Sequence, residues 1–138
     1  GGGAFPNALS SLDTFITLSQ GFEDVGVRAY KGQAEALLGQ SAILTTALRI
    51  HSVEARHAAV VRRLAQSPAD KAWVTGNSNS VAALQPAYDG EEVTTQLGVA
   101  LLAFGSAEAV SEAFDEPLTR EQVEAIVAPF IIPAEAPV

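Results

Sequence analysis

Glu54 and His57 are two potential metal ligands that lie three residues apart in the run 50–57, Ile-His-Ser-Val-Glu-Ala-Arg-His. In a helix this spacing places both side chains on one face, where they can reach the same point. The helical pattern around them, over 42–66, has an apolar stripe with alternating spacings of three and four residues. The other members of that stripe are apolar: Ile43, Ala47, Ile50, Val61 and Leu64. The pattern therefore predicts that Glu54 and His57 lie on the inward face of a bundle helix.

A carboxylate among apolar side chains needs a partner, because burying it alone costs several kcal/mol. A cation is one such partner, and carboxylate with imidazole is a ligand set suited to iron, manganese or zinc. The preceding helical pattern has the same anomaly, since Glu23 lies on its apolar face between Phe22 and Gly26. Two antiparallel helices would bring Glu23 opposite Glu54 and His57, which makes these three residues the candidate metal ligands.

The other polar and aromatic residues near this set have structural interpretations. His51 is one turn before Glu54 but rotated off the stripe, which favours a surface histidine or one behind the ligands. We expect Asp24 to be a surface charge, Tyr30 to be a core residue and Trp73 to anchor a loop. Because Glu-x-x-His spacing is common by chance, a bundle with a degenerate site, in which Glu54 pairs with His57 or an arginine, stays an alternative.

Two long helices must position the candidate ligands. The first follows an apolar pattern from Leu9 to Tyr30, and Gly32 is its predicted end. Gly21 and Gly26 interrupt it at about 1 kcal/mol each relative to alanine, so a close neighbouring helix or access to a buried site should explain them.

A short helical turn over 33–38 is predicted to join this helix to the second one. Ser41 is the predicted N-cap of the second helix, and Pro68 closes its segment.

The remainder of the chain has shorter patterns. Residues 67–90 are rich in Pro, Gly, Asn and Ser, and we expect them to wrap the bundle or cover an interface. Residues 91–104 are ambiguous between strand and helix. Short helices are predicted over 106–114 and 121–130, and the second opens with a capping box from Thr119 to Gln122.

These patterns predict two parts in the chain. The first is a helical pair over 1–66. The second is a loop-rich extension over 67–138 with short helices that pack on the bundle and an extended tail at Pro133 and Pro137.

Composition narrows the possible functions. The chain has 138 residues, 48% hydrophobic and 17% charged, which fits one globular domain. A net charge of −8 argues against nucleic acid or an anionic membrane as partner. The absence of cysteine excludes zinc-thiolate and iron–sulfur sites, and Gly-x-Ser-x-Gly is absent too. Four arginines on the second helix are predicted to form a solvated or subunit-facing side: Arg49, Arg56, Arg62 and Arg63.

Two further absences concern targeting and processing. No apolar stretch has the length of a membrane span. The chain contains no methionine, which favours a processed or partial product.

Two segments resemble the bacterial ferritin-like, desiccation-associated proteins. They are 21–32, Gly-Phe-Glu-Asp-Val-Gly-Val-Arg-Ala-Tyr-Lys-Gly, and 47–59, Ala-Leu-Arg-Ile-His-Ser-Val-Glu-Ala-Arg-His-Ala-Ala. The stretch 114–119 and the helix after it resemble the C-terminal end of that family, so the resemblance extends over 5–130. It implies an all-α, ferritin-like helical bundle, of which this chain supplies one long helical pair plus long loops and short C-terminal helices. A ferritin-type centre needs two Glu and Glu-x-x-His halves, and this chain contains one.

The resemblance also implies a chemistry and partners. Glu23 and Glu54 would bind or bridge iron or manganese, and His57 would be a terminal ligand. The implied activity is iron oxidation or protection against peroxide, and the implied location is periplasmic or secreted. A missing N-terminal helical pair or another protein chain would complete the bundle, within an oligomer. The alternative function is a non-catalytic structural or stress-protective assembly protein.

Overall fold

The structure, a computed structural model, describes residues 5–65, 71–77, 79 and 82–131. It is mostly helical, and two long helices dominate it: α1 is Leu12–Gln33 and α2 is Ser41–Ala65. The connection between them contains the predicted short turn, a 3-10 helix over Glu35–Leu37. The predicted all-α fold built on one long helical pair is therefore confirmed.

Local hydrogen bonds explain where the long helices begin. The N–H of Thr14 donates to the Ser11 Oγ at 3.3 Å, so Ser11 caps α1. Ser41 was predicted as the N-cap of α2 but is its first helical residue, and the carbonyl of Gln40 accepts the N–H of Leu44 instead.

The prediction that α1 ends at Gly32 is wrong, because the helix continues to Gln33. A neighbouring segment lies against its last turn, where the N–H of Leu118 donates to the Arg28 carbonyl at 3.1 Å. A side chain at Gly32 would collide with the Leu118 backbone. Gly32 thus serves a close approach within the helix and does not stop it.

The two long helices pack against each other in opposite directions. Asp24 of α1 pairs with Arg62 near the end of α2, whereas Gly26 of α1 lies beside Glu54, about two turns earlier in α2. This antiparallel pairing is the arrangement that the candidate site requires.

The C-terminal part forms short elements. Two helices occupy the predicted places, α3 at Ala107–Ala113 and α4 at Arg120–Val127, and the capping box from Thr119 to Gln122 is present. The ambiguous run contains a small antiparallel hairpin, β1 at Thr95–Gln96 with β2 at Val99–Ala100. Its two turn residues, Leu97 and Gly98, have positive φ, as such hairpin turns require. Further 3-10 turns lie at Ala82–Ala87, Leu101–Ala103 and Ala128–Phe130.

The apolar core lies between α1, the 82–88 segment and α4. Its buried members are Leu18, Val25, Leu84, Ala87, Tyr88, Leu118 and Ile126. A Cβ at Gly21 would lie 2.8 Å from the Leu84 side chain, so that glycine admits the covering segment. The Phe130 ring packs against Phe5 and Phe22 and fixes the end of the C-terminal helical region. The described C-terminal elements therefore cover one side of the helical pair.

Buried charges attach this covering part to the helical pair. The Arg28 guanidinium donates to the carbonyls of Glu116 and Ala87, both at 2.6 Å, and to that of Asp89 at 2.9 Å. Its Nε also lies 3.0 Å from the buried carboxylate of Glu91. Arg28 is 3% exposed, so one buried α1 side chain holds two backbone segments of the extension, 87–89 and 116.

Two residues that were expected on the surface, Asp24 and Arg62, are buried because the extension covers them. Asp24 was expected on the surface but is 6% exposed, and its Oδ2 accepts the Tyr88 hydroxyl at 2.7 Å. Arg62 was expected on a solvated or subunit-facing side but is buried against Asp24 within the chain. The extension covers this side of both helices. The other three clustered arginines are exposed as predicted: Arg49, Arg56 and Arg63.

The opposite side of the pair, which we call the open face, is apolar and exposed within the part of the chain that the structure describes. Its exposed members are Leu12, Phe15, Ile43, Ile50 and Leu64. The stripe predicted to point inward is therefore uncovered here, because the extension packs on the other side. Of that α2 stripe, Ala47 is buried.

Several predictions concern residues outside the described ranges. They are the division at residue 66, the end of the second helix at Pro68 and the tail at Pro133 and Pro137. Trp73 is described and is about half exposed, and Val74 beside it packs against the core. Among the described residues, no helix combines the length and apolarity needed to cross a membrane.

We expect Gly32→Ala to destabilise the protein by about 1–3 kcal/mol, because the added methyl overlaps backbone that cannot rotate away. Gly39→Ala is the matched control, since a Cβ there meets nothing within 4 Å. The free energy of unfolding in urea measures both. Equal stability of the two variants would contradict the close docking of Leu118 on α1.

Candidate metal centre

The structure brings the three sequence-predicted ligands together where α1 and α2 pack. One donor atom from each of Glu23, Glu54 and His57 lies within 4.8 Å of the other two. Within the described ranges, no other group of three acidic or histidine side chains converges in this way.

The packing of the helices makes room for this cluster at one residue. A Cβ on Gly26 would lie 3.3 Å from the Glu54 carboxyl carbon, closer than most such contacts. The absence of a side chain at Gly26 therefore lets the Glu54 carboxylate approach α1. This explains why a glycine is present at position 26 although glycine destabilises a helix relative to alanine.

The two glutamates interact directly. The pKa of Glu54 is raised to about 7, first by a hydrogen bond with Glu23, then by burial and by the negative charge of Glu23, while His57 opposes the shift. A raised pKa is the usual result of two carboxylates that share one small site. Without a cation, the pair therefore holds a proton near neutral pH.

His57 lies beside the glutamates but does not satisfy them. Its Nδ1 is 3.3 Å from the Glu23 Oε2, which is near enough for an electrostatic contact. That Oε2 is nevertheless buried and accepts no hydrogen bond from the described residues. An unsatisfied buried acceptor is costly, and a cation would satisfy it.

The donor set fits a metal ion in type and spacing. Ligands about 2.1 Å from one ion are at most about 4.2 Å apart, so the present spacing needs only small side-chain adjustments. The His57 side chain is 56% exposed and that of Glu23 is 22% exposed, so the cluster borders the open face. Three donors leave further coordination positions, and these would face whatever covers that side.

The remaining sequence-predicted residues lie elsewhere. His51 does not join the cluster and lines a cavity on the covered side of the pair, partly buried. Tyr30 was expected in the core but is only partly buried, and it borders an apolar groove with Ile43 and Ile50.

Sequence reasoning missed the buried polar network formed by Asp24, Arg28 and their partners. The one available signal was the spacing of Asp24 and Arg28, since charges four residues apart share a helical face.

The pH dependence of stability tests the shared proton. Because the pKa of Glu54 is raised above its ordinary 4.5, its stabilising effect is full at low pH and is lost as the pH rises to about 7. In metal-free buffer, Glu54→Gln should therefore reduce the loss of unfolding free energy between about pH 5 and pH 7.5. Part of this pH dependence of the unfolding free energy will persist in the variant, because burial raises the pKa of Glu91 to about 7 as well.

The exposed Glu108 supplies a control of equal charge change, and Glu108→Gln should keep the full slope. An unchanged slope in Glu54→Gln would contradict the coupling of Glu54 to Glu23.

Comparison with known proteins supports the architecture of the helical pair. No curated protein and no solved structure gives a significant match. The family match does not distinguish desiccation-associated proteins from other ferritin-like ones, and it does not extend over the stretch 114–130, so these finer resemblances stay predictions. Residues 4–67, just under half of the chain, match the family model of the ferritin-like domain, and they contain both long helices and all three candidate ligands.

Proposed function

We propose that this chain is a ferritin-like metal-binding protein in which Glu23, Glu54 and His57 hold iron or manganese. The observation that supports the proposal best is the convergence of their donor atoms within 4.8 Å, from two different helices. The buried, unsatisfied Oε2 of Glu23 adds a specific need for a cation at that point. The ferritin-like match over the same helices agrees with this chemistry.

Each ligand has a distinct part in the proposed centre. The two carboxylates supply the negative charge, and a bound cation displaces the proton that Glu54 holds near pH 7. His57 supplies a neutral nitrogen donor from the same face of α2. When bound, iron or manganese would supply reactivity toward dioxygen or peroxide, which suggests iron oxidation or peroxide protection by analogy with the fold.

A second helical pair is proposed to cover the open face and complete the centre. Its apolar side chains, such as Phe15, Ile43 and Ile50, have no cover among the described residues. Ferritin-type centres take ligands from four helices, and the cluster here supplies those of two. The second pair would come from a further segment of a longer protein or from another chain, and assembly into an oligomer would follow.

The resemblance to desiccation-associated proteins extends this proposal to stress protection in a periplasmic or secreted setting. The competing function is a structural assembly protein with a degenerate site. The large exposed apolar area of the open face favours it, because assembly through that face does not itself require a metal. Metal content separates the two functions.

Metal analysis of protein purified without chelator and loaded with iron or manganese tests the proposal. We expect bound metal in the unaltered protein and a loss of about 10-fold or more in affinity for Glu54→Ala and His57→Ala, because each removes a ligand. His51→Gln is the control, since it removes the other histidine and should keep the metal. A metal-free protein after loading, or equal loss in the control, would contradict the proposed centre and favour the structural role.

A further inference from the structure

The cavity that His51 lines is on the covered side of the helical pair, away from the candidate metal centre. It has a volume of about 460 Å³ and lies between α1, α2 and the extension. Small side chains of α2 line it, including Ala55, Ala58 and Ala59, and because they are short they leave space for a ligand. Trp73 and Phe114, both from the extension, add aromatic surface. Its size and apolar lining are those of a small-molecule site.

Among the residues that the structure describes, two polar atoms at this cavity are buried without a hydrogen-bond partner. They are the Nε2 of His51, from α2, and the Oδ2 of Asp115, from the segment after α3. Both residues line the cavity. Leaving such atoms unsatisfied costs on the order of 1–3 kcal/mol each, so a ligand that bonds to them gains specificity here. Burial also raises the pKa of Asp115, and the nearby Lys31 opposes that shift.

The charges around the cavity are balanced, which indicates a neutral ligand. Within the described part of the chain, four acidic side chains line the cavity, and each has a basic partner: Asp24 with Arg62, Glu91 with Arg28, Glu112 with Lys71, and Asp115 with Lys31. The pair of Asp115 and Lys31 is the loosest, at 3.8 Å, and the carboxylate oxygen involved is the unsatisfied one. A ligand that forms hydrogen bonds without adding a net charge therefore fits this cavity best.

We propose that this cavity binds a small neutral aromatic compound that carries a hydroxyl group, with the hydroxyl held between Asp115 and His51. A hydroxyl is both donor and acceptor, so it can donate to the Asp115 Oδ2 and accept from the Nε2–H of a neutral His51 tautomer. The ring would lie over the alanine surface of α2, beside Trp73 and Phe114. The proposal is independent of metal binding, because no candidate metal ligand lines this cavity.

Calorimetric titration with para-ethylphenol tests the site on the whole chain. Trp73 is the sole tryptophan of the chain, so its fluorescence reports whether binding occurs at this cavity. We expect saturable heat and a matching change in Trp73 fluorescence. The matched compound para-ethylanisole, which cannot donate, should bind about 10-fold more weakly or worse, because the bond to Asp115 is lost.

Two variants locate the binding. Asp115→Ala should weaken the affinity for para-ethylphenol by about 10-fold or more, whereas Glu108→Ala, at an exposed acid outside the cavity, should leave it unchanged. Ala55→Leu fills the cavity from an exposed helical position without touching a polar partner, so it should abolish binding in a folded protein.

Three outcomes would overturn the proposal. The first is no saturable binding of para-ethylphenol, which would mean a hydrated cleft. The second is equal binding by Ala55→Leu, which would place the compound elsewhere. The third is tighter binding of phenethylamine than of para-ethylphenol, which would mean that the cavity selects cations.

Discussion

The buried guanidinium of Arg28 decides which side of the helical pair is covered. It bonds to three backbone carbonyls of the extension and pairs with Glu91, at a position 3% exposed. Such a charge is tolerated only when its donors are satisfied, so removing the extension would leave it unpaired in an apolar place. Asp24 and Arg62 repeat the arrangement one turn away along α1. The extension is thereby fixed on one side, and the other side stays open.

The two sides of the helical pair carry different candidate sites. On the open face, Glu23 and Glu54 come close because Gly26 leaves space between the helices, and they share a proton that a cation can replace. On the covered side, the extension and both helices line an open cavity, where atoms of His51 and Asp115 have no hydrogen-bond partner among the described residues. One helical pair thus presents an ionic site outward and a mostly apolar cavity inward. The two sites differ in chemistry because different elements complete them.

The features that could be predicted from the sequence are those that depend on periodicity within a helix. The apolar stripe and the Glu-x-x-His spacing predicted the long pair and the convergence of Glu54 and His57, because side chains three residues apart share a face whatever surrounds the helix. Which face is covered depends on contacts distant along the chain, so Asp24 and Arg62 were wrongly placed on the surface. The small hairpin was ambiguous for another reason, since its strands have two residues each and too few positions for a period.

On the proposed function, the metal binds on the open face through His57 and not on the covered side. The chain has only two histidines, so pulsed electron paramagnetic resonance of manganese-loaded protein, labelled with nitrogen-15 at histidine, can test it directly. We expect a hyperfine coupling from one imidazole nitrogen that persists in His51→Gln and disappears in His57→Gln. A coupling that disappears in His51→Gln, or no histidine coupling with manganese fully bound, would contradict metal binding through His57.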